Sequence, residues 1–204
     1  QSLLHKPRPH NLPKVPTCSR CNNGFSKDEQ YAGTFLSCVV SGTTDPEKQF
    51  NTSAASALRR SPALRSMIEQ TKMERLFDDG QTQIVWTPDR ERVDRVIIKN
   101  ARGHAFFELG EPMMNKPDSV WAYPVELLTP EQRSEFEGEN ETGGFSVWPE
   151  VGSKMMTRLL TGQDMIGSWI VVQDGTYRYQ VNWDSGVRVR SVIFGYLATE
   201  VQWG

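Results

Sequence analysis

The sequence predicts an α+β fold in which helices come first and an antiparallel sheet closes the chain. Three observations carry that prediction. Apolar residues recur at helical spacing through the first half of the chain. Cap residues followed by proline (Asp45-Pro46, Ser61-Pro62, Thr87-Pro88, Thr129-Pro130) punctuate it as helix starts do. From Ser168 onward the apolar period changes to two.

Residues 1–17 contain Pro7, Pro9, Pro13 and Pro16, so this stretch is expected to run extended. Cys18 to Gly24 reads as a tight turn. Ser26 with Glu29 three residues on forms a capping-box pattern for a first helix, with Tyr31, Phe35, Cys38 and Val39 on one face. Asp45-Pro46 predicts a second helix to about Arg60, and Ser61-Pro62 a third through Met73. Gln83 to Trp86 is a short strand candidate. From Thr87-Pro88 the positions Val93, Val96, Ile97, Ala101, Ala105 and Leu109 keep an i, i+3, i+4 rhythm, with Gly110 placed to end the helix. Thr129 and Gln132 form another capping box, and Glu137 to Gly144 reads as an acidic, Gly-rich exposed loop. Trp169–Gln173 and Tyr177–Trp183 flank Asp174-Gly175 as a hairpin. Asp184-Ser185-Gly186 turns into Val187–Phe194, and Leu197–Trp203 is a last strand.

With 204 residues, 37% hydrophobic and 24% charged, the composition is that of a globular chain with a sizeable core. No apolar run approaches the ~20 residues that span a bilayer, and no charged-then-apolar leader opens the chain. Three cysteines are too few for a disulfide framework. A cytoplasmic protein without a membrane partner is expected. The chain opens on Gln1 rather than Met, which leads us to expect a parent that extends upstream.

The net charge of -2 conceals an asymmetry. Residues 1–27 carry Lys6, Arg8, Lys14, Arg20 and Lys27 and no acidic residue; 18 basic and 25 acidic residues remain over 28–204. A localised basic segment on an acidic protein suits a phosphate-bearing partner, and equally a solvated arm.

Cys18-x-x-Cys21 is the one pair with metal-ligand spacing. Two thiolates two residues apart reach a single Zn²⁺, but a tetrahedral site needs two further ligands, and within the segment only His5 and His10 offer them. Redox use and two unconnected thiols are the alternatives; the βαβ setting of thioredoxin-like pairs is missing. Signatures of P-loop, serine-hydrolase, zinc-protease and dinucleotide-binding enzymes are absent from the sequence.

The string His10-Asn11-Leu12-Pro13-Lys14-Val15-Pro16-Thr17-Cys18-Ser19-Arg20-Cys21-Asn22-Asn23-Gly24 resembles the second half of an HNH endonuclease ββα (treble-clef) finger. The resemblance covers residues 7–32. Lys99-x-x-Arg102-Gly103 extends it to 93–110, being similar to a helix string of bacterial HNH-annotated proteins of this size. It implies a partial ββα-metal finger over 1–41; the periodicity read above makes 42–204 a helical and antiparallel-sheet body, whose meander the resemblance does not cover. It further implies that Asn11 pins the finger loop, that Asn22 helps hold a catalytic divalent ion such as Mg²⁺, and that Cys18 and Cys21 form half of a structural Zn²⁺ site. Lys6, Arg8, Lys14, Arg20 and Lys27 would then hold nucleic-acid phosphates, DNA being favoured over RNA. The activity implied is metal-dependent phosphodiester hydrolysis in an intact bacterial or phage parent. The family's Asp-His element does not occur in this chain, which is therefore expected to be inactive alone. A non-catalytic, zinc-stabilised module that binds nucleic acid or protein is the alternative, and a partner-binding body built on the meander is a third.

The remaining residues have structural explanations. His104 is expected to be partly buried and satisfied, and Cys38 to be a core thiol. Arg102 is expected to pair with Glu108 or Glu111, and Arg188 and Arg190 to line the wet face of a strand. Trp148, Trp169, Trp183 and Trp203 are expected in the core.

Overall fold

A computed structural model describes residues 3–9, 12, 14–76, 80, 82–138 and 148–204, with the backbone alone at 20 and 21. It shows the α+β architecture, with helices preceding a C-terminal antiparallel sheet. The chain forms two compact units, Gln1–Lys6 with Cys18–Val96 and Pro7–Thr17 with Ile97–Gly204.

In the first unit, α1 (Ser19–Ser41) begins earlier than its sequence signals indicate. The Cys18 carbonyl already accepts the Asn22 amide at 3.0 Å. The expected turn over Cys18–Gly24 is thus the first helical turns, and the Ser26 hydroxyl donates back to the Asn23 carbonyl (2.9 Å) from inside the helix instead of capping it. Tyr31, Phe35 and Cys38 are buried on one face as expected.

The helix expected over 45–60 is split. Asp45 caps only a short 3₁₀ turn, Pro46–Lys48. The chain restarts at the buried Asn51, whose Oδ1 accepts the amides of Ser53 and Ala54 at 2.9 and 3.0 Å and opens α2 (Thr52–Arg60). An asparagine in that position satisfies two orphan helix donors at once, which favours a new start over continuation. Ser61 caps α3 (Pro62–Glu69). That helix stops short of Met73, because Lys72–Leu76 pairs as β1 with β2 (Thr82–Trp86) in a two-stranded antiparallel ribbon. Helix α4 spans Arg90–Leu109, with the Asp89 Oδ1 accepting the Arg92 amide at 3.3 Å.

In the second unit, β3 (Ser119–Pro124) leads through α5 (Pro130–Glu137) and α6 (Lys154–Thr161) to the meander β4 (Met165–Ile166), β5 (Trp169–Gln173), β6 (Tyr177–Asn182), β7 (Val187–Ile193) and β8 (Leu197–Trp203). The six strands run in the order β3-β8-β7-β6-β5-β4, antiparallel throughout. Gly186, at φ +91° in the β6–β7 turn, lies so close to the Trp203 carbonyl that any Cβ would collide with it. The predicted capping box at Thr129 and Gln132 is present.

Both faces of the sheet are covered over most of their area. One face presents Tyr177, Tyr179, Val181, Val189, Ser191, Val201 and Trp203, all buried. On the other, Val125, Phe136, Trp169, Val192 and Ala198 form a cluster, with Trp121 and Leu128 packed against it. That second layer corrects one expectation. Arg188 stays half-buried, but Arg190 is 4% exposed: its Nε donates to Glu200 (2.7 Å) and its Nη1 to the Glu135 carbonyl (3.0 Å) at the end of α5. Of the four tryptophans placed in the core, Trp169 and Trp203 are buried and Trp183 half-buried, whereas Trp148 is 66% exposed.

Candidate functional site

The finger-like segment divides between the units. Lys6, Cys18, Arg20, Cys21, Asn22 and Lys27 belong to the first, and Arg8 and Lys14 to the second. His10 and Asn11 lie outside the described residues, as do the side chains of Arg20 and Cys21. Lys6, Arg8, Lys14, Cys18, Asn22 and Lys27 are exposed.

The positions of Cys18 and Cys21 on the backbone are informative. Cys18 immediately precedes α1 and Cys21 is its third residue, so the pair is one helical turn apart at the positive end of a 23-residue helix. The first turn of α1 holds no acidic residue to offset the positive end of its dipole. His5 packs its ring against Phe50, centroids 5.6 Å apart. Among the described residues no group of three His, Cys, Asp or Glu side chains is arranged to hold a metal. The side chains that would have to complete a zinc site with Cys18 therefore do not come together among the described residues. Cys38 has no such role, since burial pushes its thiol up to about 12.

Helix α4 carries the second matched string. Arg102 does not pair with Glu108 or Glu111. Its guanidinium donates to the carbonyls of Met114 and Asn115 (3.3 and 2.8 Å), holding the segment that leads to β3. A Cβ added at Gly103 would meet Val15 Cγ2 at 3.8 Å, an ordinary contact. The two strings that carry the resemblance thus touch within the second unit. Because Gly103 sits mid-helix with room for a methyl, Gly103→Ala is expected to stabilise the protein by about 0.5–1 kcal/mol. Thermal unfolding checks this, as a rise of roughly 2–4 °C. A lower melting temperature would show that Val15 packs closer than this geometry.

A buried polar cluster in the second unit escaped sequence reading altogether. Glu108 on α4 is fully buried, and Arg158 on α6 is 4% exposed. The Arg158 Nε donates to both Glu108 oxygens (3.1 and 3.0 Å), and its Nη1 to the Gln163 carbonyl (3.1 Å) and to Asp164 Oδ2 (3.0 Å). Tyr179 donates its hydroxyl to Glu108 Oε1 at 2.6 Å. Burial opposes the charge of Arg158, and Glu108 more than offsets it, so the guanidinium is held above its ordinary value. Asp164, at φ +60°, turns back to complete the pair.

His104 stacks on Tyr179, ring centroids 3.6 Å apart, and its Nε2 lies 2.7 Å from the Tyr177 hydroxyl. Ser191 hydrogen-bonds the same hydroxyl and partly offsets the burial that pushes Tyr177 up to about 12. Which of Nε2 and the Tyr177 hydroxyl donates depends on the ring tautomer, and Nδ1 has no hydrogen-bond partner among the described residues. Burial first, and the positive charge of Arg158 second, hold His104 down to about 3. The expected satisfied histidine is therefore satisfied at one nitrogen only. No sequence periodicity links Glu108, Arg158 and Tyr179. The one usable signal was a Glu at an otherwise apolar position beside Leu109.

A third group pins α5. Glu137 accepts two hydrogen bonds from Arg178 (2.9 and 2.6 Å), whose guanidinium lies 4.2 Å from the centre of the Trp169 ring. The Trp169 Nε1 donates to the Glu137 carbonyl.

Among the described residues no helix is long and apolar enough to cross a membrane. No protein-family model matches the chain, and no curated protein or solved structure is significantly similar to it.

Proposed function

We propose that this chain is the Cys-bearing part of an HNH-like, zinc-stabilised nucleic-acid-binding protein, whose parent hydrolyses phosphodiester bonds with a divalent metal. The observation that carries the reading is the coincidence of Cys18-x-x-Cys21-Asn22 with the first turn of α1, next to a segment whose every charge is positive. The helix terminus favours thiolates and phosphate oxygens alike. Exposed Lys14 has no acidic residue near it in sequence, and exposed Lys27 closes the basic segment just before Asp28. Their contacts position a duplex without reading its sequence.

Catalysis is not assigned to this chain. Its three histidines follow Leu4, Pro9 and Gly103, so no Asp-His or Glu-His pair is present to activate water. A divalent ion, when bound beside Asn22, would supply Lewis-acid stabilisation of the phosphate charge. Asn22 would orient it as a neutral oxygen ligand, and the lysines would hold the flanking phosphates. The non-catalytic binding module is favoured for the isolated chain by that missing pair.

Elemental analysis of the purified chain beside Cys18→Ser/Cys21→Ser tests the reading. Zinc near one per chain, lost in the double variant, is expected and means that the finger forms locally with His5 and His10 as the further ligands. About one zinc per two chains would assign it to two Cys pairs from a dimer. A zinc-free wild-type chain would overturn the reading. Binding to duplex DNA is expected to weaken steeply with salt, and Lys14→Glu/Lys27→Glu to lower the salt slope by about 2.

A further inference from the structure

The β1–β2 ribbon is a surface the proposed function does not use. Lys72–Leu76 and Thr82–Trp86 pair only with each other; no third strand joins either edge among the described residues. Met73, Leu76 and Ile84 are 51%, 69% and 51% exposed. A lone two-stranded ribbon is marginal in water, and an exposed strand edge is a template for another strand.

The two edges differ in a way that selects the occupant. Strand β1 (Lys-Met-Glu-Arg-Leu) carries three charges, and antiparallel pairing with its own copy about its central residue sets Glu74 against Glu74. Like charges directly opposite each other disfavour that pairing. Strand β2 (Thr-Gln-Ile-Val-Trp) has no charge, no proline and no glycine. It lacks the charges and proline by which edge strands ordinarily resist pairing. About its central residue it is self-complementary: Ile84 meets Ile84, Gln83 meets Val85, and Thr82 meets Trp86. Within the ribbon, Leu76 pairs with Thr82 and Lys72 with Trp86, so Leu76, Ile84 and Trp86 share one face. A two-fold axis perpendicular to the sheet keeps that face on the same side in both copies. Ile84 and Trp86 of the two chains would then adjoin at the centre of that face, with Glu74 and Lys72 of each β1 flanking them.

We propose that the outer edge of β2 is a homodimer interface, where two copies of this chain pair antiparallel about Ile84 into a four-stranded sheet in the order β1-β2-β2-β1. The symmetry is isologous and closed, so the pairing stops at two chains and leaves the Glu74-bearing edges outermost.

Sedimentation of the full chain over a wide concentration range is the test, with far-UV circular dichroism confirming that each variant is folded. The wild type is expected to sediment as a dimer. Ile84→Lys sets two ammonium groups against each other and is expected to abolish the dimer, while Glu74→Lys on the outer edge leaves it intact. In a Cys18→Ser/Cys21→Ser background, Ile84→Cys is expected to be joined into a covalent dimer by a short thiol-specific cross-linker, since directly opposed residues have Cβ atoms about 4.5–5.5 Å apart. A wild type that stays monomeric at every concentration overturns the proposal. So does a dimer that persists in Ile84→Lys, because it uses another surface.

Discussion

Arg158→Met is expected to destabilise the protein by about 3–5 kcal/mol, the largest single-residue effect we anticipate. The substitution keeps most of the side-chain volume but removes the one cation among the described residues that is hydrogen-bonded to Glu108, which is fully buried. What remains to that carboxylate is the Tyr179 hydroxyl at 2.6 Å, a single neutral donor. The Gln163 carbonyl and Asp164 lose their partner in the same step. Adding Glu108→Gln removes the stranded charge while leaving an acceptor for Tyr179. The double variant is therefore expected to be more stable than Arg158→Met alone, although it lacks one more native group. Denaturant unfolding followed by tryptophan fluorescence reads this directly, because the buried Trp169 and Trp203 both lie in the unit that contains the pair. A loss below about 1 kcal/mol would place the pair in solvent, at the value of a surface ion pair.

That cluster marks where sequence reading stops. The meander was legible because each strand is local: alternation and the Asp174-Gly175 turn encode it within a few residues. Helix α4 was legible for the same reason, and Val93, Val96, Ile97, Ala101, Ala105 and Leu109 are all buried. Strand β3 was missed because it pairs with β8, about 80 residues later, and nothing in Ser-Val-Trp-Ala-Tyr-Pro announces that partner. Arg190 was assigned to water because alternation says that two faces differ, not that both are covered. The helix α5 that covers the second face receives Arg190 at its carboxyl end, where a cation complements the helix dipole. The start of α1 was misplaced because Ser26 and Glu29 offer a capping pattern that the longer helix simply overrides. The candidate finger was legible only as a string, and the chain's arrangement adds the helical turn beneath the two cysteines. The pairing of Glu108 with Arg158 spans 50 residues, a purely tertiary fact.

Between pH 6.5 and pH 4 the protein is expected to lose stability by up to about 1.4 kcal/mol per pH unit, and His104→Gln to remove most of that dependence. The sign follows from which state binds the proton. Burial and Arg158 hold the folded imidazole down to about 3, against an ordinary value of 6.5. As pH falls through 6.5 the unfolded chain takes up a proton that the folded chain refuses, so acid favours unfolding. The stabilisation is complete above pH 6.5 and is lost progressively toward pH 3. Some solvent reaches the ring, which makes the full one-proton slope an upper bound. Asp28, held below the usual carboxylate range first by its hydrogen bond to Arg95 and also by Arg92, adds its own acid lability only below about pH 4. Urea titrations at closely spaced pH values separate the two, and nitrogen-15 shifts of the imidazole give the tautomer. Two nitrogens titrating together near 6.5 would overturn this assignment. The expected result, a neutral ring throughout, also bears on function. The Nε2 is engaged with the Tyr177 hydroxyl and the ring resists protonation, so His104 is not placed to act as a water-activating base.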